Sequence, residues 1–523
     1  MKADETGSTG AKLSIDSVHT DLKIGFDSPR SPIIPSSSSG SSAPSSQVPT
    51  QPTAAPRHSL SSLEISDGNV DDEDYDHMNV ADSPEGPLLP GLGANMALEE
   101  LAIGSGKSNL KMAFMNMANS IIGAGIIGQP YAVRQSGLVG GLVLLVGLTI
   151  VIDWTIRLMV VNAKMSGTDT FQATVAHCFG KIGLITISLA QGLFAFGGSM
   201  AFCVIIGDTI PHVILALFPS WETLPVLSFL VRRNSIIVIC TTFISYPLAL
   251  NRDISKLAKA SALALVSMLI IVLTVVIRGP QLSSEMKGSF SLPLLTINSG
   301  LLQGVSVISF AFVCHHNSLL IYDSLKKPTM DRFAIVTHWS TGVSMVACIA
   351  MGVGGFLVFK DRTKGNVLNN FPPDDTMANI ARFCFGLNML TTLPLEIFVC
   401  REVILNYFYP SNSLPEGAGG ESFNYRRHVI TTTVLVFTAM SISLFTCNLG
   451  VILEIVGATS ACVMAYVLPP MCFIKLTGNR SLRNLLPSYI CVSFGILVMV
   501  ISTVQSIVKI VAGGDGSEDH CVQ

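Results

Sequence analysis

A chain of 523 residues that is 49% hydrophobic and only 13% charged, with a mean hydropathy of +0.55, has too little charge to coat a set of soluble domains. The formal net charge of −3 averages two unlike parts, since residues 1–100 carry 16 acidic against 5 basic side chains and the remainder 19 against 27. No basic tract marks a nucleic-acid binder, and no nucleophile–base pair, metal cluster or phosphate loop marks an enzyme. The fragment GSGKS at 104–108 lacks both the first-glycine spacing of a Walker loop and a strand before it.

Residues 1–106 are rich in Ser, Pro and acid, as in IIPSSSSGSSAPSSQVPTQPTAAP and DDEDYDH. Such a segment has too few apolar positions to offset its ordering entropy and is expected to be a disordered tail. It has no basic n-region followed by an apolar h-region, so it does not read as a signal peptide. Ser28, Ser31 and Ser83 each precede proline. They are candidate phosphorylation sites through which cytoplasmic regulators would act on the tail.

From residue 107 the pattern changes to long apolar runs. A helix of roughly 20 residues crosses a hydrocarbon core about 30 Å thick. Eleven segments meet that length, near 110–134, 137–162, 182–211, 235–251, 256–278, 299–325, 332–359, 377–407, 428–447, 449–475 and 485–511. The expectation is an all-α, multi-pass membrane domain over 107–511, with 512–523 a short tail. Lys and Arg crowd one set of loops, among them Lys326, Lys327 and Arg332, then Arg401, Arg426 and Arg427. That bias puts the N-terminus in the cytoplasm and the C-terminus outside or in a lumen. The half-polar stretch DTFQATVAHCFG, 169–180, reads as a short interfacial helix before the third segment.

Segment 1 contains NSIIGAGIIGQPYA, with Gly123, Gly125 and Gly128 in its middle. Each glycine costs a helix interior roughly 1 kcal/mol relative to alanine. Segment 6, five spans later, reads SGLLQGVSVISFAFVCHHNSLLIYDSL, with small and polar residues through its centre. Glycine also serves close helix packing, but weakened first helices in two successive five-span halves point to an inverted-repeat transporter with both helices broken. Unwinding inside a membrane requires the freed peptide groups to line a cavity or bind something. The opened main chain at Ile122, Gly123, Ala124 and Gly125 is expected to line the substrate site, with N–H groups near Gly123 to Gly125 that suit a carboxylate. The carbonyls of Ser309, Phe310, Ala311 and Phe312 suit an ammonium, with the ligand's side chain toward segments 3 and 8.

Charges within spans need partners or a role. Asp153 and Arg157, spaced i, i+4, read as an ion pair. Glu396 reads as a gate or packing residue that meets Arg401 or another base, while Glu454 has no sequence-local partner. His315 and His316 follow the break in segment 6 and are candidates for a proton relay, against the plain alternative of buried neutral histidines. The twelve cysteines show no C-x-x-C spacing and read as small core residues.

Four stretches, FMNMANSIIGAGIIGQPYAVRQSGL, YPLALNRDISKLAKAS, SFAFVCHHNSLLIYDSL and ARFCFGLNMLTTLPLEIFVCRE, resemble the amino acid/auxin permease family. The similarity is greatest to its sodium-coupled neutral amino acid transporters and fungal vacuolar amino acid transporters. It spans about 107–510. The resemblance implies a LeuT-like 5+5 fold, amino acids as substrate and secondary transport by alternating access. It implies a coupling cation, proton or sodium, held by Asn119 with Thr391 or Thr392 and carbonyls near Ile122, with no cofactor and no other metal. A vacuolar, lysosome-like membrane follows from the same branch. The family pattern has histidine at 315 and usually proline next, so His316 departs from it. The long acidic tail motivates one alternative, an amino-acid-sensing receptor that signals through residues 1–106.

Overall fold

The computed structural model describes residues 108–251, 261–409, 424–446, 448–478 and 482–511. The expected tails, 1–106 and 512–523, lie outside the described residues, as do 252–260 at the start of the fifth segment. Eleven helices are long and apolar enough to cross a membrane. Spans 1 to 4 are Leu110–Ser136, Leu138–Ser166, Phe171–Leu217 and Arg233–Leu250. Spans 5 to 8 are Ala264–Gln281, Leu301–Ser324, Met330–Arg362 and Thr376–Phe408, and spans 9 to 11 are Tyr425–Phe445, Leu449–Leu476 and Leu482–Val511. Val143, Ile150, Trp339, Val346 and Val434 are each more than half exposed on the outside of the bundle, as side chains facing lipid should be.

The third span carries the expected interfacial helix at its start. Thr170 caps it by accepting from Ala173 N at 3.1 Å. The helix turns at Gly180, whose φ of 61° suits a residue without a Cβ, before the crossing proper begins.

Packing between spans repeats under exchange of each span with the one five positions later. Span 1 packs on span 7, and span 6 packs on span 2. Span 4 lies against spans 3 and 8, while span 9 lies against spans 8 and 3. Span 5 meets spans 1 and 8, and span 10 meets spans 6 and 3. The pairs 1–6 and 3–8 map onto themselves. This is the pattern of two five-helix halves of inverted topology. Span 11 stands outside it, against spans 6 and 10. Of the central windows of the spans, that of span 6 is 83% buried and that of span 11 only 33%, so span 6 is at the centre and span 11 at the rim.

Two features hold the centre. A Cβ on Gly457 of span 10 would overlap the carbonyl of Ser306 in span 6, so the two helices touch through main chain. In span 8 the buried Arg382 donates to the carbonyls of Leu368 and Phe371 at 2.8 Å, to that of Pro372 at 3.0 Å and to Asn379 Oδ1 at 2.7 Å. Both terminal nitrogens of this buried guanidinium are thereby engaged, with Nε left without a partner, and the loop 366–372 is tied to the head of span 8. Gly457→Ala is expected to cost about 1–3 kcal/mol through overpacking. A melting curve of the detergent-solubilised protein should show a lowered midpoint.

Candidate substrate and ion cavity

The helix of span 1 runs Leu110–Ile122 and stops at Gly123, which has φ 1° and ψ −147°. A tight 3-10 turn, Ala124–Gly128, follows, and α-helix resumes over Gln129–Ser136. Part of the interrupted main chain is satisfied internally. Gly123 N donates to Asn119 O at 3.1 Å, and Gln129 Nε2 donates to Gly125 O at 3.0 Å. Gly125 has a second role, since a Cβ there would overlap Ala311 Cα of span 6.

Span 6 is helical over Leu301–Phe312 and again over His315–Ser324, with Val313 and Cys314 extended or irregular between. Val313 N still reaches Ser309 O at 3.1 Å. The break therefore falls just after the stretch that composition singled out, and the carbonyl of Ser309 is already used.

Both interruptions face one cavity of about 190 Å³. Span 1 contributes Asn119, Gly123, Ala124 and Gly125, and span 6 contributes Phe310, Ala311, Val313 and His316. Span 8 adds Asn388, Thr391, Thr392 and Glu396, and span 3 adds Phe194 and Gly198. Phe194 packs against Phe310 at 5.3 Å and against the His316 ring at 5.7 Å between centroids. Asn317 Nδ2 donates to Ser120 Oγ at 3.1 Å, joining spans 6 and 1 beside the cavity. Asn116, Asn317 and Val399 extend the lining along the halves of spans 1, 6 and 8 nearer Leu110.

Three of the residues expected at the substrate site do not line it. The Ile122 side chain is buried against the core, Phe312 is fully enclosed on the far side of its helix, and Ser309 Oγ is engaged by Val305 O at 2.7 Å and Tyr466 Oη at 2.8 Å. The two histidines also separate. His315 is turned away and pairs through Nε2 with Thr155 Oγ1 of span 2 at 3.0 Å, while His316 faces the cavity.

Asn119, Thr391 and Thr392 all reach the lining. The Thr391 and Thr392 hydroxyls donate to Asn388 O at 2.9 and 2.7 Å, which leaves their oxygen lone pairs for a donor or a cation. Asn388 and Asn116 were not singled out in the sequence. Their signal was the helical spacing, three or four residues from Thr391, Thr392 and Asn119. Among the described residues no group of three or more His, Cys, Asp or Glu is placed to hold a metal ion.

The acids are distributed differently from what sequence neighbours suggest. Asp153 does pair with Arg157, at 2.8 Å, and also receives His338 of span 7 at 2.9 Å. Glu396 does not meet Arg401. That guanidinium donates instead to Ala249 O at 3.0 Å and Thr432 Oγ1 at 2.9 Å, and lies over the Phe398 ring. Glu454 accepts from Tyr131 Oη at 2.8 Å, Gln135 Nε2 at 3.3 Å and Ser506 Oγ at 3.2 Å, with Lys509 Nζ at 3.7 Å. Spans 1, 10 and 11 are thus joined at the end of the bundle remote from Leu110. A wider polar vestibule of about 710 Å³ opens at that same end, beside an Asp208–Arg233 pair at 3.1 Å that Asn369 braces at 2.8 Å.

Residues 106–508 match the family described as transmembrane amino acid transporter protein. The chain belongs to this family. It is 46% identical over 452 residues to vacuolar amino acid transporter 2 of Saccharomyces cerevisiae, covering 86% of this chain and 93% of that one. It is 36% identical over 402 residues to "Putative sodium-coupled neutral amino acid transporter 11" of Danio rerio, covering 76% and 86% respectively. Among solved structures it is similar to MhsT in complex with L-phenylalanine, at 13% identity and a TM-score of 0.47 over 75% of this chain and 98% of that one. The family and these relatives are transporters rather than enzymes.

Removing Lys509 as Lys509→Met is expected to cost about 1–3 kcal/mol, because Glu454 is left buried with fewer partners. The double variant with Glu454→Gln should recover part of that loss. Thermal melts of the two single variants and the double variant form the cycle that tests it.

Proposed function

We propose that this protein is a secondary active transporter that moves amino acids across a membrane by alternating access, gripping the charged ends of the substrate with the interrupted main chain of spans 1 and 6. The observation that carries the reading is that both interruptions open on the same cavity, with Gly125 and Ala311 in backbone contact at its wall. The substrate carboxylate sits beside Gly123 at the N–H groups of Ala124 and Gly125, the Gly123 N–H being held by Asn119 O, and the following helical turn adds its positive end. The ammonium faces the carbonyl end of the first half of span 6, at Phe310, Ala311 and Phe312, where a helix leaves its last carbonyls without internal donors. The substrate side chain points to Phe194 and Gly198 of span 3 and to span 8.

The coupling ion is a proton or sodium. Asn119, Thr391, Thr392 and the carbonyl of Ile122 provide the neutral oxygens of a cation position, and His316 is the titratable group of the pair that faces the cavity. The name of the yeast relative, together with the Lys and Arg distribution, supports a vacuolar, lysosome-like membrane with the N-terminus in the cytoplasm. In that orientation the cavity reaches toward the cytoplasm. The tail before residue 107 is the segment open to cytoplasmic regulators.

Gly125→Val is expected to abolish uptake while the protein still reaches the membrane. Radiolabelled amino acid uptake into proteoliposomes, under imposed proton and sodium gradients, tests it, and normal uptake would count against a backbone-held substrate. In the same assay Asn119→Ala should raise the cation concentration needed for half-maximal transport or stop transport. Unchanged kinetics would remove Asn119 from the cation position.

A further inference from the structure

Several acids within or beside the spans are neutralised by a base, Glu402 by Arg401 at 3.7 Å among them. Asp153, Asp208, Asp375 and Glu454 each meet a basic side chain, at 2.8, 3.1, 2.6 and 3.7 Å respectively. Glu396, among the described residues, has neither a hydrogen bond nor an ion pair, yet it lines the cavity. Span 3 faces it with Gly198, where a Cβ would stand 3.7 Å from Oε2, so that position places no side chain against the carboxylate.

The neighbouring groups offer no fixed counter-charge. On span 8 itself, Cys400 Sγ donates to Gly192 O at 3.6 Å, and Arg401 is held by spans 4 and 9 and by Glu402 at 3.7 Å. Span 3 brings Phe194 and Gly198 to the cavity, the described part of span 5 brings Ala264, and span 1 brings asparagines, serine and apolar groups. Span 6 brings His316, the second titratable group of the described lining.

His316 also lines a smaller cleft of about 40 Å³ toward the Leu110 end of the bundle. Glu402 and Asp169 lie in that cleft, beside a Gln172–Gln191 hydrogen bond. Asp169 is exposed, and His316 Nδ1 has no hydrogen-bond partner. The His316 imidazole is thus common to the cavity and to a cleft that contains the exposed Asp169.

We propose that Glu396 is the proton-carrying group of this transporter, loaded from the Asp169–Glu402 cleft through His316. This rests on the transport reading above. A proton from water at the cleft binds one ring nitrogen of His316, the ring gives a proton from its other nitrogen to water in the cavity, that water passes a proton to the Glu396 carboxylate, and the resulting carboxylic acid later releases it to water on the opposite side. An ionised carboxylate without a counter-charge is too costly to carry through a closed, dehydrated state. A neutral amino acid brings no cation on its side chain, so the proton has to travel with it.

The test uses the full chain in proteoliposomes with tritiated leucine and glutamine, and with tritiated lysine as a cationic probe. Wild-type protein should accumulate leucine or glutamine under a pH gradient, and an entrapped pH dye should report proton movement with it. Glu396→Gln should lose at least ten-fold of the pH-driven accumulation, and the pH dependence of equal-concentration exchange should flatten. His316→Gln should slow the approach to the plateau without lowering it.

Wild-type accumulation driven by sodium with no proton flux would overturn the proposal without reference to any variant. So would Glu396→Gln with undiminished pH-driven accumulation. Loss of lysine transport alone would also overturn it, by making Glu396 a recognition group for cationic side chains. Wild-type protein that neither exchanges nor accumulates any of the three amino acids would overturn the transport reading itself.

Discussion

A peptide group inside a membrane has to find a partner within the protein, and most of the architecture follows from where that requirement is relaxed. Two helices at the centre of the bundle stop at mid-span. Some of the released groups are taken up at once, as when Gln129 reaches back to the Gly125 carbonyl and Val313 N reaches Ser309 O. What remains points into a cavity between spans 1, 3, 6 and 8. The arrangement requires main chain to approach main chain, and the small residues stand where it does, Gly125 against Ala311 and Gly457 against Ser306.

Charge obeys the same economy as the peptide groups. Three of the paired acids join different helices. Asp153 links spans 2 and 7, Asp208 links spans 3 and 4, and Glu454 links spans 1, 10 and 11. Arg233 extends the second of these to span 9 through the carbonyls of Ser443 and Thr446. These contacts hold the bundle without occupying the cavity. Glu396 belongs to none of these contacts and lines the cavity, which is why a functional role is proposed for it.

The exchange of each span with the one five places later has a mechanical consequence. The cavity walls, spans 1, 3, 6 and 8, exchange among themselves as 6, 8, 1 and 3. An opening on one side of the membrane thus has a counterpart on the other made from the opposite halves of the same helices, which is the geometry alternating access requires. Span 11 has no counterpart, and its Lys509 meets Glu454 and Tyr131 at one end of the bundle only.

The number of spans, their limits to within a few residues, the glycine-broken first helix and the Asp153–Arg157 pair were legible in the linear chain, because each depends on residues within a turn or one membrane thickness of each other. Asn119, Thr391 and Thr392 became candidates only through the family resemblance, and the structure brings all three to the cavity lining. Tertiary structure alone decided which side of span 6 meets the cavity, setting Phe310 and His316 toward it and Ser309, Phe312 and His315 away. It decided that Arg401 turns from Glu396 to spans 4 and 9, and that Glu454 finds partners 323 positions before it and 52 after it. Those outcomes depend on how far each helix is rotated about its own axis, and that rotation is set by packing against helices distant in sequence.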